Sequence, residues 1–219
     1  MSKKFTFVFF IILLTDIAAL HFPELPWLRY FTKPAIVGSL IIWLALQKFE
    51  LARLKQYLMA GLIFSLTGDV LLMFVRSSEY YFLFGLLVFL LAHICYILAF
   101  VRRGYFKPRH LPLGIVLVTA YAAFIYWKIS DGLGENQPYV IAYMLILWLL
   151  AVTAFMRRSY VSLPSYQYVL AGALFFMFSD SLLAWDKFNQ SIPFGGIAVM
   201  ATYGIAQYCL IRGGKAQEE

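Results

Sequence analysis

The most constraining feature of this chain is a series of eight long apolar blocks separated by short polar connections. The blocks are about 17 to 21 residues long, the length with which a helix crosses a hydrocarbon layer of roughly 30 Å. Of the 219 residues, 63% are hydrophobic and 13% are charged, whereas soluble domains are roughly half apolar and a quarter charged. We therefore predict an all-α integral membrane protein, with residues 1–219 forming a single transmembrane domain.

The predicted membrane spans follow the apolar blocks. They comprise residues 5–21, 34–49, 57–75, 80–101, 112–129, 138–156, 167–185 and 192–211. The first block follows Lys3 and Lys4 as a signal peptide would, but Asp16 interrupts it, so we expect it to remain as the first span. The connections are too short for a soluble catalytic domain, and any chemistry would take place within or at the edge of the bilayer.

The basic residues are distributed unequally between the two sides that these spans define. The amino-terminal side is predicted to carry thirteen of them: Lys3, Lys4, Lys48, Arg53, Lys55, Arg102, Arg103, Lys107, Arg109, Arg157, Arg158, Arg212 and Lys215. The opposite side carries five: Arg29, Lys33, Arg76, Lys128 and Lys187. Because basic loops favour the cytoplasmic side, both termini are expected there. The net charge of +7 lies in short clusters between spans, so no nucleic-acid partner is expected.

The chain also contains an internal similarity. Ala-Gly-Leu-Ile-Phe at residues 60–64 recurs as Ala-Gly-Ala-Leu-Phe at residues 171–175, and Asp69 recurs as Asp180. The offset is 111 residues in each case. Four spans per copy give both copies the same direction, which predicts parallel repeats at residues 1–104 and 112–214.

Three carboxylates interrupt apolar blocks. Each costs at least about 2.5 kcal/mol at mid-bilayer, so an acid in a span is a functional candidate by default. The alternative is a hydrogen bond or ion pair between helices, which is favoured for Asp16, near the end of its span. Asp69 and Asp180 are each predicted to lie about 18 Å from the cytoplasmic start of their span at 1.5 Å per residue. We expect both to face one cavity in the outer half of the membrane.

Further polar residues occur in pairs that share a helix face. These pairs are His93 with Tyr96, Tyr139 with Tyr143, and Tyr203 with Gln207. We expect His93, Tyr203 and Gln207 on the wall of the cavity, whereas the two tyrosines at 139 and 143 are also typical of an interfacial belt.

Lys33 precedes Pro34, and proline suits the first turn of a helix. Lys33 is therefore expected at the outer end of the second span. There it could hold a lipid phosphate, or it could extend to the membrane surface as an ordinary lysine. Catalytic zinc normally takes three protein ligands, and His93 is the one histidine of three within a span, so no metal site and no cofactor are expected.

Five motifs resemble those of one family. They are Lys33-Pro34, Phe64-Ser65 with Gly68-Asp69, Ala92-His93-Ile94 with Tyr96, Gly172-Ala173 with Ser179-Asp180-Ser181-Leu182-Leu183-Ala184, and Tyr203 with Gln207. In this order they resemble the YhhN family, whose animal members are lysoplasmalogenases.

The resemblance implies hydrolysis of the vinyl ether bond of a lysoplasmalogen to a fatty aldehyde and a glycerophospho-ethanolamine or -choline. It implies Asp69 and Asp180 as the catalytic pair and supporting roles for Lys33, His93, Tyr96, Tyr203 and Gln207. We add Tyr143 to the predicted substrate-binding residues. The partners would be a lysophospholipid and membrane lipid, and the location a bacterial inner membrane.

Acid chemistry agrees with this implication. A proton added to the β-carbon of a vinyl ether gives an oxocarbenium ion, which water captures as a hemiacetal. One protonated and one ionised carboxyl supply the acid and the anion, as in glycosidases. The alternative is a transporter or lipid-binding protein in which the same acids bind a proton or a cation.

Overall fold

The structure, a computed structural model, describes residues 1–20, 22, 26–101 and 113–218. The described residues contain eight α-helices. These are α1 (Lys3–Ala19), α2 (Arg29–Leu46), α3 (Ala52–Met73), α4 (Glu79–Phe100), α5 (Leu113–Ile129), α6 (Gln137–Met156), α7 (Leu163–Phe188) and α8 (Gly195–Lys215). Each of the eight predicted spans overlaps one of them, with ends that differ by a few residues, so the all-α prediction is confirmed.

Five of these helices, α3 to α7, are long and apolar enough to cross a membrane. The outward faces of the bundle carry many exposed large apolar side chains, among them Phe7, Phe31 and Leu113 at 69%, 70% and 72% exposure. Such a continuous apolar surface suits lipid and would be costly in water. The chain is an integral membrane protein.

The beginning of α2 differs from the prediction. A 3-10 turn at Pro26–Leu28 leads directly into the helix at Arg29, so the helix starts five residues earlier than expected. Pro34 consequently lies inside α2. It lacks the N–H that would bond to the carbonyl four residues earlier, but only this one bond is lost near the helix start. Lys33 therefore stands one turn inside the helix.

The helices pair closely along the chain, α3 against α4 and α7 against α8. Glycines at equivalent positions make both approaches possible. A side chain at Gly61 would meet the ring of Tyr96, and one at Gly172 would meet Leu210. Small residues at such contacts let helix axes come near each other in a membrane, where packing rather than exclusion from water drives association.

Both ends of the chain lie at the same end of the bundle. The Thr6 and Tyr208 hydroxyls are 2.8 Å apart, and Lys215 donates to the carbonyl of Lys48. Asp69 and Asp180 lie toward the opposite end, and each follows the first residue of its helix by 17 positions. The two carboxyls thus occupy equivalent positions along their helices, as predicted. Each lies about 25 Å from its helix start rather than the predicted 18 Å, because α3 and α7 begin five and four residues earlier than expected. Of the basic residues counted above, Arg102, Arg103, Lys107 and Arg109 lie outside the described residues.

Candidate active site

A cavity of about 420 Å³ occupies the half of the bundle remote from the termini. It is bounded by the first turns of α2, α4, α6 and α8 and by the last turns of α3, α5 and α7. Its wall is mostly apolar, with Leu72, Phe89, Leu147 and Met177 among the lining residues. Asp69 and Asp180 both face this cavity, as the matched depths predicted.

The carboxyl of Asp69 is held by two helices from opposite sides. Lys33 on α2 brings its Nζ to 3.5 Å from Oδ1 and donates to the Asp69 carbonyl at 3.3 Å. Tyr203 on α8 donates its hydroxyl to Oδ2 at 2.6 Å. Asp69 is 2% exposed and Lys33 8% exposed. A buried carboxylate is retained when it is paired and hydrogen-bonded, so this arrangement favours the ionised form of Asp69.

A chain of buried hydrogen bonds continues from Tyr203 away from the cavity. Gln207 Nε2 donates to the Tyr203 hydroxyl at 3.2 Å, and the Tyr96 hydroxyl donates to Gln207 Oε1 at 2.7 Å. Because the amide accepts from Tyr96, its N–H is directed at Tyr203. The hydroxyl of Tyr203 is then oriented with its proton toward Asp69. Three helices, α3, α4 and α8, are joined by this chain.

Asp180 has different partners. Tyr143 on α6 donates its hydroxyl to Oδ2 at 2.5 Å, and Nε2 of His93 on α4 lies 3.9 Å from the same oxygen. Within the described parts of the chain, no lysine or arginine nitrogen lies within 4.0 Å of Asp180. Its side chain is 14% exposed, toward the cavity. Without a nearby fixed cation, this site favours a neutral carboxyl more than the Asp69 site does.

The structure corrects part of the predicted wall. Tyr203, Tyr143 and Lys33 line the cavity, but His93, Tyr96 and Gln207 do not. His93 is fully buried, with its ring edge-on to Tyr143 and Phe176. The expectation that His93 and Gln207 lie on the wall was wrong. The Tyr143 ring packs against His93, and the Tyr203 hydroxyl lies between Gln207 and Asp69.

Two other residues considered in the sequence, Tyr139 and Asp16, do not line the cavity. Tyr139 is 48% exposed on the outside of the bundle, as an interfacial tyrosine would be, although it shares a helix face with Tyr143. Asp16 is fully buried, accepts a hydrogen bond from Thr32 at 2.7 Å and lies 3.7 Å from Arg29 Nε. These contacts agree with the predicted structural role of Asp16, a hydrogen bond and an ion pair between helices. His21 and His110 lie outside the described residues.

Sequence reasoning overlooked two cations that line the same cavity, Arg29 and Lys187. Both had been counted only as charges that set orientation. A signal was present for Arg29, since it precedes Lys33 by four residues and therefore shares its face of α2. No comparable signal existed for Lys187, because its position relative to α2 depends on how the helices pack.

The arrangement suits proton transfer in a largely apolar cavity. One carboxyl with a fixed cation and one without are held in a single cavity that is large enough for a slender amphiphile. Such a pair can offer a proton and an anion to the same substrate. The apolar lining of the cavity suits an aliphatic chain.

Comparison with known proteins places the chain among membrane proteins of one kind. It is 34% identical over 157 residues to the protein named lysoplasmalogenase TMEM86B of Mus musculus, covering 70% of this chain and 61% of that protein. It is 28% identical over 192 residues to lysoplasmalogenase TMEM86A of Homo sapiens, with 80% and 77% covered. It is 27% identical over 189 residues to a lysoplasmalogenase of Mycobacterium tuberculosis, with 83% and 69% covered.

The match to the mouse protein leaves more than a third of that relative uncovered. No solved structure matches the chain. The model of the YhhN family matches residues 28–214, a stretch that contains α3 to α7 and both carboxyls of the cavity. The chain belongs to the YhhN family.

Proposed function

We propose that this protein is a lysoplasmalogenase, a membrane hydrolase that cleaves the vinyl ether bond of lysoplasmenylethanolamine or lysoplasmenylcholine. The observation that supports this most is the unequal pair of carboxyls, Asp69 beside Lys33 and Asp180 beside Tyr143, in one largely apolar cavity. The names of the relatives in animals and mycobacteria support the same activity.

In the proposed reaction Asp180 is the acid. The Tyr143 hydroxyl donates to Oδ2, so a proton on the carboxyl would be carried by Oδ1. Transfer of that proton to the β-carbon breaks the double bond and forms an oxocarbenium ion. The hydrogen bond from Tyr143 to Oδ2 then stabilises the carboxylate that remains.

Asp69 is the anion and the base of the same reaction. Its carboxylate, kept ionised by Lys33 and Tyr203, stabilises the oxocarbenium ion electrostatically. It then takes a proton from the water that attacks the α-carbon. As the hemiacetal collapses, Asp180 takes the proton of its hydroxyl and Asp69 returns its own proton to the departing glycerol oxygen. The products are the fatty aldehyde and the glycerol hydroxyl, and both carboxyls are restored to their starting states.

The test is aldehyde release from lysoplasmenyl lipid by the purified protein. Asp69→Asn and Asp180→Asn should each slow the rate at least about a hundredfold, because a positioned acid or base contributes 10² to 10⁴. Arg76→Gln is the control, since Arg76 is exposed at the same end of the bundle and does not line the cavity. A transporter or lipid-binding protein would release no aldehyde, and that outcome would reject the hydrolase.

We also propose that all eight helices cross the membrane, with both termini in the cytoplasm of a bacterial cell and the cavity in the outer half of the inner membrane. The charge asymmetry and the common end of the bundle for both termini support this orientation. Reporter fusions after Ser78 and after Lys215 should report opposite sides of the membrane. Fusions that report the same side would contradict the eight-span topology.

The two halves, residues 1–104 and 112–214, are proposed to be parallel repeats. The hydrogen bond from Tyr96 to Gln207 supports this, because these residues are 111 positions apart and a bond between equivalent positions is expected at a pseudo-two-fold axis. Each carboxyl also takes one partner from its own half and one from the other. Asp69 contacts Lys33 and Tyr203, and Asp180 contacts Tyr143 and His93.

A further inference from the structure

Lys33 is occupied at the catalytic carboxyl, which leaves the substrate phosphate to be bound elsewhere. Its Nζ lies 3.5 Å from Asp69 Oδ1. A phosphate bound there would come within a few ångströms of the same carboxylate, where two anions repel each other. It would also bring the glycerol, rather than the double bond, to the carboxyls.

The geometry of the substrate gives the distance at which a phosphate partner should lie. Seven bonds separate the β-carbon of the vinyl ether from the phosphorus atom. An extended chain advances about 1.2 Å per bond, so the phosphate lies about 8 Å from the carbon that is protonated. A suitable cation therefore stands about that far from the carboxyls, toward the end of the bundle.

Arg29 on α2 and Lys187 on α7 meet this requirement from two different helices. Arg29 precedes Lys33 by four residues on α2, about 6 Å nearer the bundle end at 1.5 Å per residue. Lys187 follows Asp180 by seven residues on α7, about 10 Å nearer that end. Both line the cavity that contains Asp69 and Asp180.

The contacts of both cations leave charge available to a ligand. The Nε of Arg29 lies 3.7 Å from the buried Asp16 and has no hydrogen-bond partner among the described residues. The Arg29 side chain is 32% exposed and lines the cavity. Lys187 lies 3.7 Å from Glu79, which is 89% exposed, and an ion pair with so exposed a partner is weak. Asp16 thus holds the Arg29 guanidinium on one side, and the Lys187 ammonium is only weakly paired. Both cations can therefore also bind an anionic ligand.

We propose that Arg29 and Lys187 form the phosphate subsite of the cavity and bind the phosphodiester of a single-chain alkenyl glycerophospholipid. This inference rests on the proposed function and extends it to substrate selection. Asp16 acts as a positioning residue that holds Arg29, and the subsite sets the double bond at the depth of Asp69 and Asp180.

The experiment compares two substrates, lysoplasmenylethanolamine and 1-O-alkenylglycerol, which differ in the phosphoethanolamine group alone. Arg29→Gln and Lys187→Gln should each raise KM for the phospholipid about tenfold or more, the loss expected for a hydrogen bond to a charged group. The value of kcat should change little, because the contact is made equally in the ground state and the transition state. KM for 1-O-alkenylglycerol should be unchanged in both variants. The control variant Arg76→Gln should leave KM unchanged for both substrates.

The variants separate a subsite from a folding defect. Arg29→Gln removes the partner of a buried aspartate and is therefore accompanied by Arg29→Lys, which should recover much of the phospholipid affinity. Lys187→Gln leaves no buried charge unpaired and is expected to fold normally. The proposal would be overturned if KM for the phospholipid were unchanged in Lys187→Gln and in Arg29→Lys/Lys187→Gln. It would also be overturned if inorganic phosphate inhibited the wild-type protein while none of the variants altered KM for the phospholipid.

Failure of the proposed function would look different. If wild type releases no aldehyde from either lipid, the hydrolase is rejected, and binding of an alkyl-ether lysophospholipid is then compared with binding of the corresponding alkylglycerol. Tighter binding of the phospholipid that is lost in Lys187→Gln would still support the subsite, and equal binding of the two would refute it.

Discussion

Replacing Lys33 by methionine tests whether the pair with Asp69 is the source of the ionised carboxylate. At 3.5 Å and an effective dielectric constant of about 20, the attraction between the two charges is about 5 kcal/mol. Removing one partner of a buried pair typically costs about 3–5 kcal/mol. Asp69 would either remain charged at that cost or take up a proton, and a protonated Asp69 no longer acts as anion and base.

We therefore expect Lys33→Met to lower kcat at least about a hundredfold. The melting temperature of the detergent-solubilised protein should fall by several degrees, because about 1 kcal/mol corresponds to about 2–4 °C for a chain of this size. In the double variant Lys33→Met/Asp69→Asn no charge remains unpaired. Its melting temperature should lie nearer to that of wild type than either single variant does, while its activity stays low.

The measurement is a double-mutant cycle of melting and unfolding, together with aldehyde release, and Arg76→Gln serves as the charge-loss control. The reasoning requires an interaction energy of at least about 2 kcal/mol between positions 33 and 69. Additive effects of the two substitutions, or a Lys33→Met protein with wild-type kcat, would refute the idea that Lys33 keeps Asp69 ionised.

Three further outcomes are expected. Tyr203→Phe removes a donor to Asp69 and should lower kcat about tenfold with little change in KM, since a hydrogen bond to a charged group contributes about 1.5–3 kcal/mol; an unchanged kcat would deny the hydroxyl a role. Gly61→Ala puts a carbon closer than 3.0 Å to the Tyr96 ring and should destabilise the protein by about 1–3 kcal/mol, whereas Gly38→Ala, which meets nothing within 4 Å, should melt at or slightly above wild type. In water enriched with oxygen-18, promptly trapped aldehyde should carry the label, and label in the glycerol product would exclude the oxocarbenium route.

The helical architecture was predictable because each apolar block is long enough to form its backbone hydrogen bonds within one helix, as the hydrocarbon layer requires. The 111-residue offset also related Asp69 to Asp180 before any contact was known. Helix ends were less predictable. The start of α2 lies at Arg29 because a 3-10 turn extends the helix past Pro34, and proline marks a helix start in sequence whether it stands in the first turn or just beyond it.

The candidate residues were predictable as a set, since polar groups within apolar blocks are rare and costly. Their individual positions were not. His93 and Gln207 had the same signal as Tyr203, yet Tyr203 alone of these three lines the cavity. Burial of one side chain behind another depends on the rotation of each helix about its axis, and packing between helices sets that rotation.

By itself the sequence determined the membrane-spanning helical class, the matched depth of the two carboxyls and the asymmetry of charge, because these follow from side-chain transfer energies and from positions along single helices. Only the packing of the helices pairs Lys33 with Asp69, and only packing brings the Tyr143 hydroxyl and the His93 ring next to Asp180. Residues 36 and 37 positions apart on different helices meet only once the helices have packed. The same packing distinguishes two aspartates that look alike in sequence.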